Sequence, residues 1–177
     1  MVPDPEPDCW LHPAVEVGPS DIAGRGLFAN APLPAGTVVS RLGGRLVDTA
    51  TLRNLIASSE EYVDTVVVDD DRHLLLAPGD NRFGNHACDP NLGWVTEFAL
   101  ATVVDVPAGG ELLADYAMST VDRDWIMRCH CTSYRCRQMI EGTDWRIPQL
   151  QLRYDGWWTP YVQRLVDAGR KARPPGG

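Results

Sequence analysis

The sequence predicts a single, mainly β domain, and three observations support this prediction. Between Val15 and Ala117, short apolar segments alternate with glycine and proline turn signals, which is typical of strands joined by tight loops. Within that stretch only Thr49–Glu61 carries apolar residues at helical spacing. The 177 residues are enough for one domain that buries its own hydrophobic core, so no disulfide framework is required.

The elements follow in chain order from these signals. Residues 1–10 combine proline with acidic side chains, which predicts a disordered lead-in. The predicted strands are runs of β-branched and apolar residues that end at turn residues. They are Thr37–Leu42, Thr65–Asp69, His73–Ala77, Trp94–Val106 and Glu111–Asp115. The predicted helix Thr49–Glu61 lies between the first two of these strands.

Residues 141–177 form a C-terminal extension that is rich in aromatic side chains. Thr159 followed by Pro160 is typical of an N-cap and a first helical residue, and Gly169 is typical of a helix end, so a short helix is predicted over Tyr161–Ala168. Its apolar face must dock on the body of the domain or form a roof over a ligand cleft. The end of the chain, KARPPGG, is expected to be flexible.

Charge and hydropathy exclude some classes of partner. The chain has 24 acidic and 16 basic residues, a formal net charge of −8, whereas a protein that binds phosphate backbones needs a basic face. We therefore expect no direct binding of nucleic acid, and the charge fits a basic protein or peptide instead. No run of about twenty apolar residues and no secretory signal is visible, so we expect a soluble cytoplasmic protein without a membrane partner.

Four of the five cysteines are candidates for one metal site. Cys129, Cys131 and Cys136 lie in the run CHCTSYRC, where their spacing suits a loop wrapped around a metal better than one face of a helix or strand. Zinc prefers four thiolate or imidazole ligands in a tetrahedron, and Cys88 in NHACDPN is the natural fourth donor. One structural Zn²⁺ is therefore expected.

Disulfides and ordinary buried thiols are the alternatives, and a reducing intracellular compartment disfavours the disulfides. His130 lies between two proposed ligands and would replace one of them if its ring faced the metal, although adjacent side chains usually point apart. Cys9 lies in the proline-rich lead-in, and we expect no role for it.

Four motifs follow one another in a fixed order: AGRGLFANAPLPAGTVV, RFGNHACDPN, GGELLADYA and CHCTSYRC. Together they resemble the small bacterial type of SET-domain protein-lysine methyltransferase with a post-SET zinc knuckle, over about residues 14–140. The resemblance implies a SET-domain fold of small β-sheets over residues 11–120 and a zinc knuckle over residues 125–140. It also implies a knot-like site, in which the segment that ends in Tyr116 threads past the NHACDPN stretch.

The resemblance further implies roles for individual residues. Ala23, Gly24 and Arg25 match the loop whose backbone holds the methionine part of the co-substrate S-adenosylmethionine. The other matches are Asn85 and His86 as the pair that contacts this cofactor, Tyr62 as an additional tyrosine near it, Tyr116 as the catalytic tyrosine, and Cys88 with the three later cysteines as ligands of one zinc. Without the motifs, Gly24 would be a turn residue, His86 a core histidine and Tyr116 a half-buried aromatic residue.

The implied activity is transfer of a methyl group from S-adenosylmethionine to the side-chain amine of a lysine in a basic protein or peptide. An in-line displacement requires alignment of nitrogen, methyl carbon and sulfur, which positioning alone favours. An apolar channel that faces a positive sulfonium lowers the pKa of the lysine amine, so no dedicated base is needed. Ala114 replaces the aromatic residue that is common in histone-directed relatives, which predicts a wider channel.

Two other interpretations stay open. A non-catalytic descendant would keep the zinc-stapled scaffold and bind a peptide or a partner protein. A small zinc-stabilised β domain would have a purely structural duty, and it would leave the order of the four motifs unexplained.

Overall fold

Short strands dominate the body of the chain in the computed structural model, which describes residues 2–172. The mainly β class is therefore confirmed. In chain order the strands are β1 (Trp10–Leu11), β2 (Val15–Pro19), β3 (Arg25–Ala29), β4 (Val38–Arg41), β5 (Gly44–Asp48), β6 (Thr65–Val67), β7 (Arg72–Leu76), β8 (Asn85–His86), β9 (Leu92–Trp94), β10 (Ala99–Thr102), β11 (Leu113–Ala114), β12 (Ile126–Arg128) and β13 (Met139–Glu141). The helices are α1 (Thr49–Ser58), α2 (Pro148–Arg153) and α3 (Pro160–Ala172).

The strands form several small sheets. A four-stranded antiparallel sheet has the order β1-β4-β10-β9, and a three-stranded antiparallel sheet has the order β5-β7-β6. β2 with β3 and β12 with β13 form antiparallel pairs. β8 and β11 are paired in parallel, with Leu113 opposite Asn85 and Ala114 opposite His86. This last pair brings two distant motifs of the sequence side by side.

The prediction of one strand over Trp94–Val106 is wrong. β9 ends at Trp94 and β10 begins at Ala99, and the residues between them form a turn in which Val95 donates to the carbonyl of Ala99. The Thr96 hydroxyl accepts the N–H of Phe98 at 3.1 Å. A side chain that binds its own backbone competes with strand pairing, which is why the apolar run breaks here.

Both predicted helices exist with different ends. Helix α1 begins where Asp48 caps the N–H of Thr51 at 2.7 Å, and it ends at Ser58, before the predicted end. Helix α3 continues through Gly169 to Ala172, so the predicted stop is wrong. The Arg170 guanidinium binds the Gln151 carbonyl and the Asp155 carboxylate, both at 2.7 Å. These contacts stabilise the last turn and offset the cost of about 1 kcal/mol for a helical glycine.

The lead-in also differs from expectation over its described part, residues 2–10. Gly44 donates to the carbonyl of Glu6 at 2.8 Å, and Trp10 pairs with β4. The thiol of Cys9 accepts the N–H of Gly43 at 3.3 Å, so this residue packs against the body. The backbone of Asp8 contacts Gly43 where a side chain would otherwise lie, so only glycine at this position lets the lead-in lie flat.

The C-terminal extension packs on the body, which was the first of the two predicted uses of its aromatic residues. Its buried side chains join the main hydrophobic core, and they are Leu150, Tyr154, Trp158, Tyr161, Val162 and Val166. The N–H of Trp94 donates to the carbonyl of Trp157 at 3.0 Å, so the extension also adds to the edge of the four-stranded sheet. The expected flexible end lies mostly outside the described residues. Among the described helices, none is both long and apolar enough to cross a membrane.

Candidate active site and metal centre

The parallel pair of β8 and β11 places Tyr116 beside Asn85 and His86. Tyr116 starts a 3₁₀ turn two residues after β11 ends, and its N–H donates to Nδ1 of His86 at 3.2 Å. The two rings have centroids 5.2 Å apart. The hydroxyl of Tyr116 donates to the carbonyl of Gly84 at 2.8 Å, in the same motif as Asn85. The structure thus brings the two motifs together around the tyrosine.

Asn91, in the same motif, holds this arrangement from the other side. Its amide nitrogen donates to the carbonyl of Glu111 at 2.7 Å, and its amide oxygen accepts the N–H of Leu113 at 2.8 Å. The Asn91 amide thus makes the two hydrogen bonds that the backbone of a neighbouring strand would make, and it extends the pairing of β11. Sequence reasoning missed this role, although Asn91 closes the motif that contains Asn85.

The exposed loop Ala23–Arg25 is held by the Asn85 side chain. The amide nitrogen of Asn85 lies 3.3 Å from the carbonyl of Ala23, 2.9 Å from that of Arg25 and 2.9 Å from a carboxylate oxygen of Glu111. Gly24, between the two carbonyls, has φ of +48°, a conformation that favours glycine. A methyl group added at Gly24 would have no atom of the described residues within 4 Å beyond its chain neighbours, so this face of the loop is open to a ligand within the described part of the chain.

The ring of His86 faces away from that loop. It is 3% exposed, and its Nε2 lies 3.5 Å from Sγ of Cys88. Because Nδ1 accepts the N–H of Tyr116, the proton of the neutral ring resides on Nε2 and points at the sulfur. Burial lowers the pKa of His86 to about 4, which keeps the ring neutral at pH 7. Because both ring nitrogens face groups of the protein itself, only the backbone of His86 is left to contact a cofactor.

Aromatic residues surround the hydroxyl side of Tyr116. The ring of Trp125 lies 6.3 Å from that of Tyr116, measured between centroids, and it packs on the cysteine cluster. Tyr62 is 77% exposed and lies near Asp64 and Trp125. Burial raises the pKa of Tyr116 above its ordinary value, and Tyr62 and Asp64 raise it further. Trp125 was missed because it belongs to none of the four motifs.

The four predicted metal ligands come together at the other end of the β8 segment. The Sγ atoms of Cys88, Cys129, Cys131 and Cys136 all lie within 4.8 Å of one another, and those of Cys88 and Cys129 are 3.8 Å apart. A zinc tetrathiolate with bonds of about 2.3 Å has sulfur–sulfur edges of about 3.8 Å. All five cysteines are described, and none forms a disulfide. His130 is exposed between two of the ligands.

Each of the four sulfurs accepts a backbone N–H, as thiolates that bind a metal require. The donors are Arg137 to Cys88 at 3.3 Å, Cys131 to Cys129 at 3.4 Å, Cys88 to Cys131 at 3.5 Å, and Gln138 to Cys136 at 3.4 Å. Gln138 has φ of +63°. Burial raises the pKa of Cys88 to about 11, so a bound cation is needed to keep this buried sulfur ionised. The site fits zinc.

The comparisons with known proteins agree with this geometry. Histone-lysine N-methyltransferase NSD3 from Mus musculus is 30% identical over 139 residues, which are 71% of this chain and 10% of that protein. Histone-lysine N-methyltransferase trithorax from Drosophila virilis is 31% identical over 140 residues, 68% of this chain and 3% of that protein. Histone-lysine N-methyltransferase SETD2 from Homo sapiens is 28% identical over 144 residues, 74% of this chain and 6% of that protein.

The chain thus spans a tenth or less of the length of these relatives. The pattern that defines the SET domain matches residues 24–117, more than half of the 177 residues, and it contains the loop at Gly24, the Asn85–His86 pair and Tyr116. The match and the parallel pairing of β8 with β11 lead to one conclusion, that this chain belongs to the SET domain family.

Proposed function

We propose that this chain transfers a methyl group from S-adenosylmethionine to the side-chain amine of a lysine in a protein, and that its post-SET knuckle holds one structural zinc. The family and its lysine methyltransferase relatives support this function. The observation that carries it is the convergence of Tyr116, Asn85 and the open loop at Gly24 on the parallel pair of β8 and β11.

The residues of the loop fit the cofactor by their chemistry. The Ala23–Arg25 backbone would hold the amino-acid end, because its carbonyls are fixed by Asn85 while the face at Gly24 stays open. The backbone of His86 and the side chain of Tyr62 would contribute from the neighbouring segments. S-adenosylmethionine, when bound, supplies a methyl group on a positively charged sulfur.

Tyr116 would orient the lysine amine. Its hydroxyl is fixed by the Gly84 carbonyl, and its raised pKa keeps it protonated at neutral pH, so it acts through hydrogen bonding and not as a base. The carbonyl of Gly84 adds an acceptor for weak C–H hydrogen bonds beside the hydroxyl. The ring of Trp125 lies beside that of Tyr116 and would add an apolar wall to the channel, which favours a neutral amine.

The substrate we propose is a basic protein or peptide, because an acidic side chain lies near Tyr116. Asp64 lies close enough to raise the pKa of Tyr116. The net charge of −8 adds a long-range attraction for cations. Ala114 lies opposite His86 in the parallel pair, and because its side chain is small, a wide channel stays our prediction.

The experiment is incubation of the full chain with S-adenosylmethionine that carries a labelled methyl group, together with a lysine-rich protein pool. We expect label on methylated lysine after acid hydrolysis of the pool, and none with the Tyr116→Phe variant. Label on arginine or on small molecules alone would contradict the proposed substrate class. Cofactor binding in calorimetry without any transfer would favour the non-catalytic binding module instead.

A further inference from the structure

The residue before Tyr116 is a buried carboxylate with an unusual set of partners. Asp115 is 0% exposed, and a buried charge is stable only when it is paired and hydrogen-bonded. The guanidinium of Arg137 donates two hydrogen bonds to it at 2.6 and 2.8 Å, and the hydroxyl of Tyr154 donates a third at 2.9 Å. Both donors follow the last cysteine of the knuckle in the chain.

The orientation of this carboxylate determines the course of the backbone through Tyr116. Asp115 accepts the N–H of Ala117 at 3.0 Å and so caps the 3₁₀ turn in which Tyr116 is the first residue. The same oxygen lies 3.6 Å from Nδ1 of His86, the atom that accepts the N–H of Tyr116. A displacement of Asp115 would therefore move Tyr116, because Asp115 precedes it in the chain and also binds the N–H of Ala117, which follows it.

The C-terminal extension holds the two donors in place. Asp144 binds Nε of Arg137 at 2.9 Å, which fixes the guanidinium plane toward Asp115. Tyr154 packs edge-on against Trp158 with centroids 5.6 Å apart, and its hydroxyl also lies 3.3 Å from the carbonyl of Cys88. The extension thus reaches the carboxylate next to Tyr116 through Tyr154 directly and through Asp144 and Arg137.

We propose that the C-terminal extension positions Tyr116 for methyl transfer through Asp115, with Tyr154 and Arg137 as positioning residues. This inference rests on the proposed function, and it assigns the extension a role in turnover. The hydroxyl of Tyr154 binds Asp115 at 2.9 Å and lies 3.3 Å from the carbonyl of Cys88, and the shorter of these contacts is the one that leads to Tyr116.

The chain offers a matched control for the test. Tyr161 lies in the same extension, is buried, and donates its hydroxyl to Asp70 at 2.8 Å, as Tyr154 does to Asp115. The change from Tyr to Phe removes the same group at both positions. We expect Tyr154→Phe to lower kcat about tenfold, because a displacement of about 1 Å at a catalytic group costs up to about 100-fold. KM for the cofactor and the peptide should stay within about twofold, and Tyr161→Phe should leave kcat unchanged.

Equal losses of kcat in both variants, or none in either, would overturn the inference. A second readout does not depend on activity. The chain has five tyrosines, so replacement of all of them by 3-fluorotyrosine gives few ¹⁹F resonances, and Tyr116→Phe identifies that of Tyr116. Tyr154→Phe should move this resonance by more than its width and Tyr161→Phe should not. An inactive wild type with the expected shifts would refute methyl transfer but keep the positioning, whereas an unmoved resonance would refute the positioning itself.

Discussion

At the scale of single residues, Tyr116 makes two hydrogen bonds, one from its backbone and one from its side chain, and they serve different roles. Its N–H binds His86 and stabilises the fold, whereas its hydroxyl binds the carbonyl of Gly84 in a partly buried hydrogen bond. Because only the second bond is lost in a phenylalanine variant, this residue allows the fold and the chemistry to be separated.

We expect Tyr116→Phe to lower methyl transfer at least about 100-fold, the size of effect seen when one positioned hydrogen-bonding group is removed from an active site. The free energy of unfolding should fall by only about 1 kcal/mol, since a single partly exposed hydrogen bond is lost. Single-turnover kinetics and urea denaturation measure the two quantities. A variant with wild-type turnover would contradict the role of Tyr116.

The pH dependence of the rate follows from the pKa of the same hydroxyl. Burial raises the pKa of Tyr116 above its ordinary value of about 10, so the hydroxyl stays protonated in any assay below that pH. Only the neutral form of the substrate amine reacts, and its fraction rises about tenfold per pH unit below the amine pKa. We therefore expect the rate at low peptide concentration to rise from pH 7 and to show no descending limb below about pH 9.5.

A pH–rate profile with labelled cofactor measures this, and circular dichroism at each pH shows whether the fold is intact. A descending limb near neutral pH in folded protein would contradict this prediction, because it would show that a group needed in its protonated form, such as the Tyr116 hydroxyl, loses its proton there.

Sequence reasoning singled out the four cysteines and Tyr116, because cysteine spacing and motif order are local properties of the chain, and the structure brings the cysteines together and places Tyr116 beside His86. It did not reach the direction of the His86 ring. That direction depends on Tyr116 and Cys88 together, and only the folded pairing of β8 with β11 brings the two into contact. The roles of Asn91 and Trp125 were not predicted for the same reason, since their partners are distant in the sequence.

At the scale of elements, the predicted runs marked strands, although their ends differ and β1, β2, β3, β5, β8, β12 and β13 were not predicted. The segments at β4, β6, β7 and β11 coincide with predicted runs, because β-branched and apolar residues mark buried strands wherever they occur. The division of Trp94–Val106 was missed because its turn contains Thr96 and Glu97 but no glycine or proline. The length of α3 was missed because the contacts of Arg170 with the α2 region outweigh the local signal of Gly169.

The contact between β9 and the extension provides a prediction about Gly93. A methyl group at this position would lie 2.6 Å from Cε3 of Trp157, too close for the indole to remain on the strand. We expect Gly93→Ala to lower the free energy of unfolding by about 1–3 kcal/mol through overpacking. Urea denaturation measures the change, and limited proteolysis should show earlier cleavage within residues 141–172.

Gly169→Ala is the matched control with the opposite sign. Gly169 lies within α3, and among residues 2–172 no atom beyond its chain neighbours and the helix's own backbone lies within 4 Å of an added methyl group. Alanine should therefore stabilise the helix by up to about 1 kcal/mol. A stable Gly93→Ala variant with an unchanged cleavage pattern would show that Trp157 does not hold the extension on the sheet.

At the scale of the whole molecule, the metal centre connects two segments that are far apart in the chain, and Arg137 links it to a third segment at Asp115. Cys88 comes from the β8 motif, the other ligands from the knuckle, and the N–H of Arg137 joins Cys88 to the network around Asp115. The His86 ring links the same sulfur to the backbone of Tyr116. Loss of the metal should therefore change the position of Tyr116 as well as the structure of the knuckle.

We expect about one equivalent of zinc per chain in elemental analysis, and a large fall in melting temperature after chelation, because a structural site contributes directly to folding. Cys136→Ser should reproduce this effect, since it removes one ligand from the cluster. Cys9→Ser is the matched control. That thiol is also half-buried, but it binds Gly43 outside the cluster, so metal content should be unchanged. Metal-free protein with the melting temperature and cofactor affinity of the loaded form would contradict a closed four-thiolate site and its link to Tyr116.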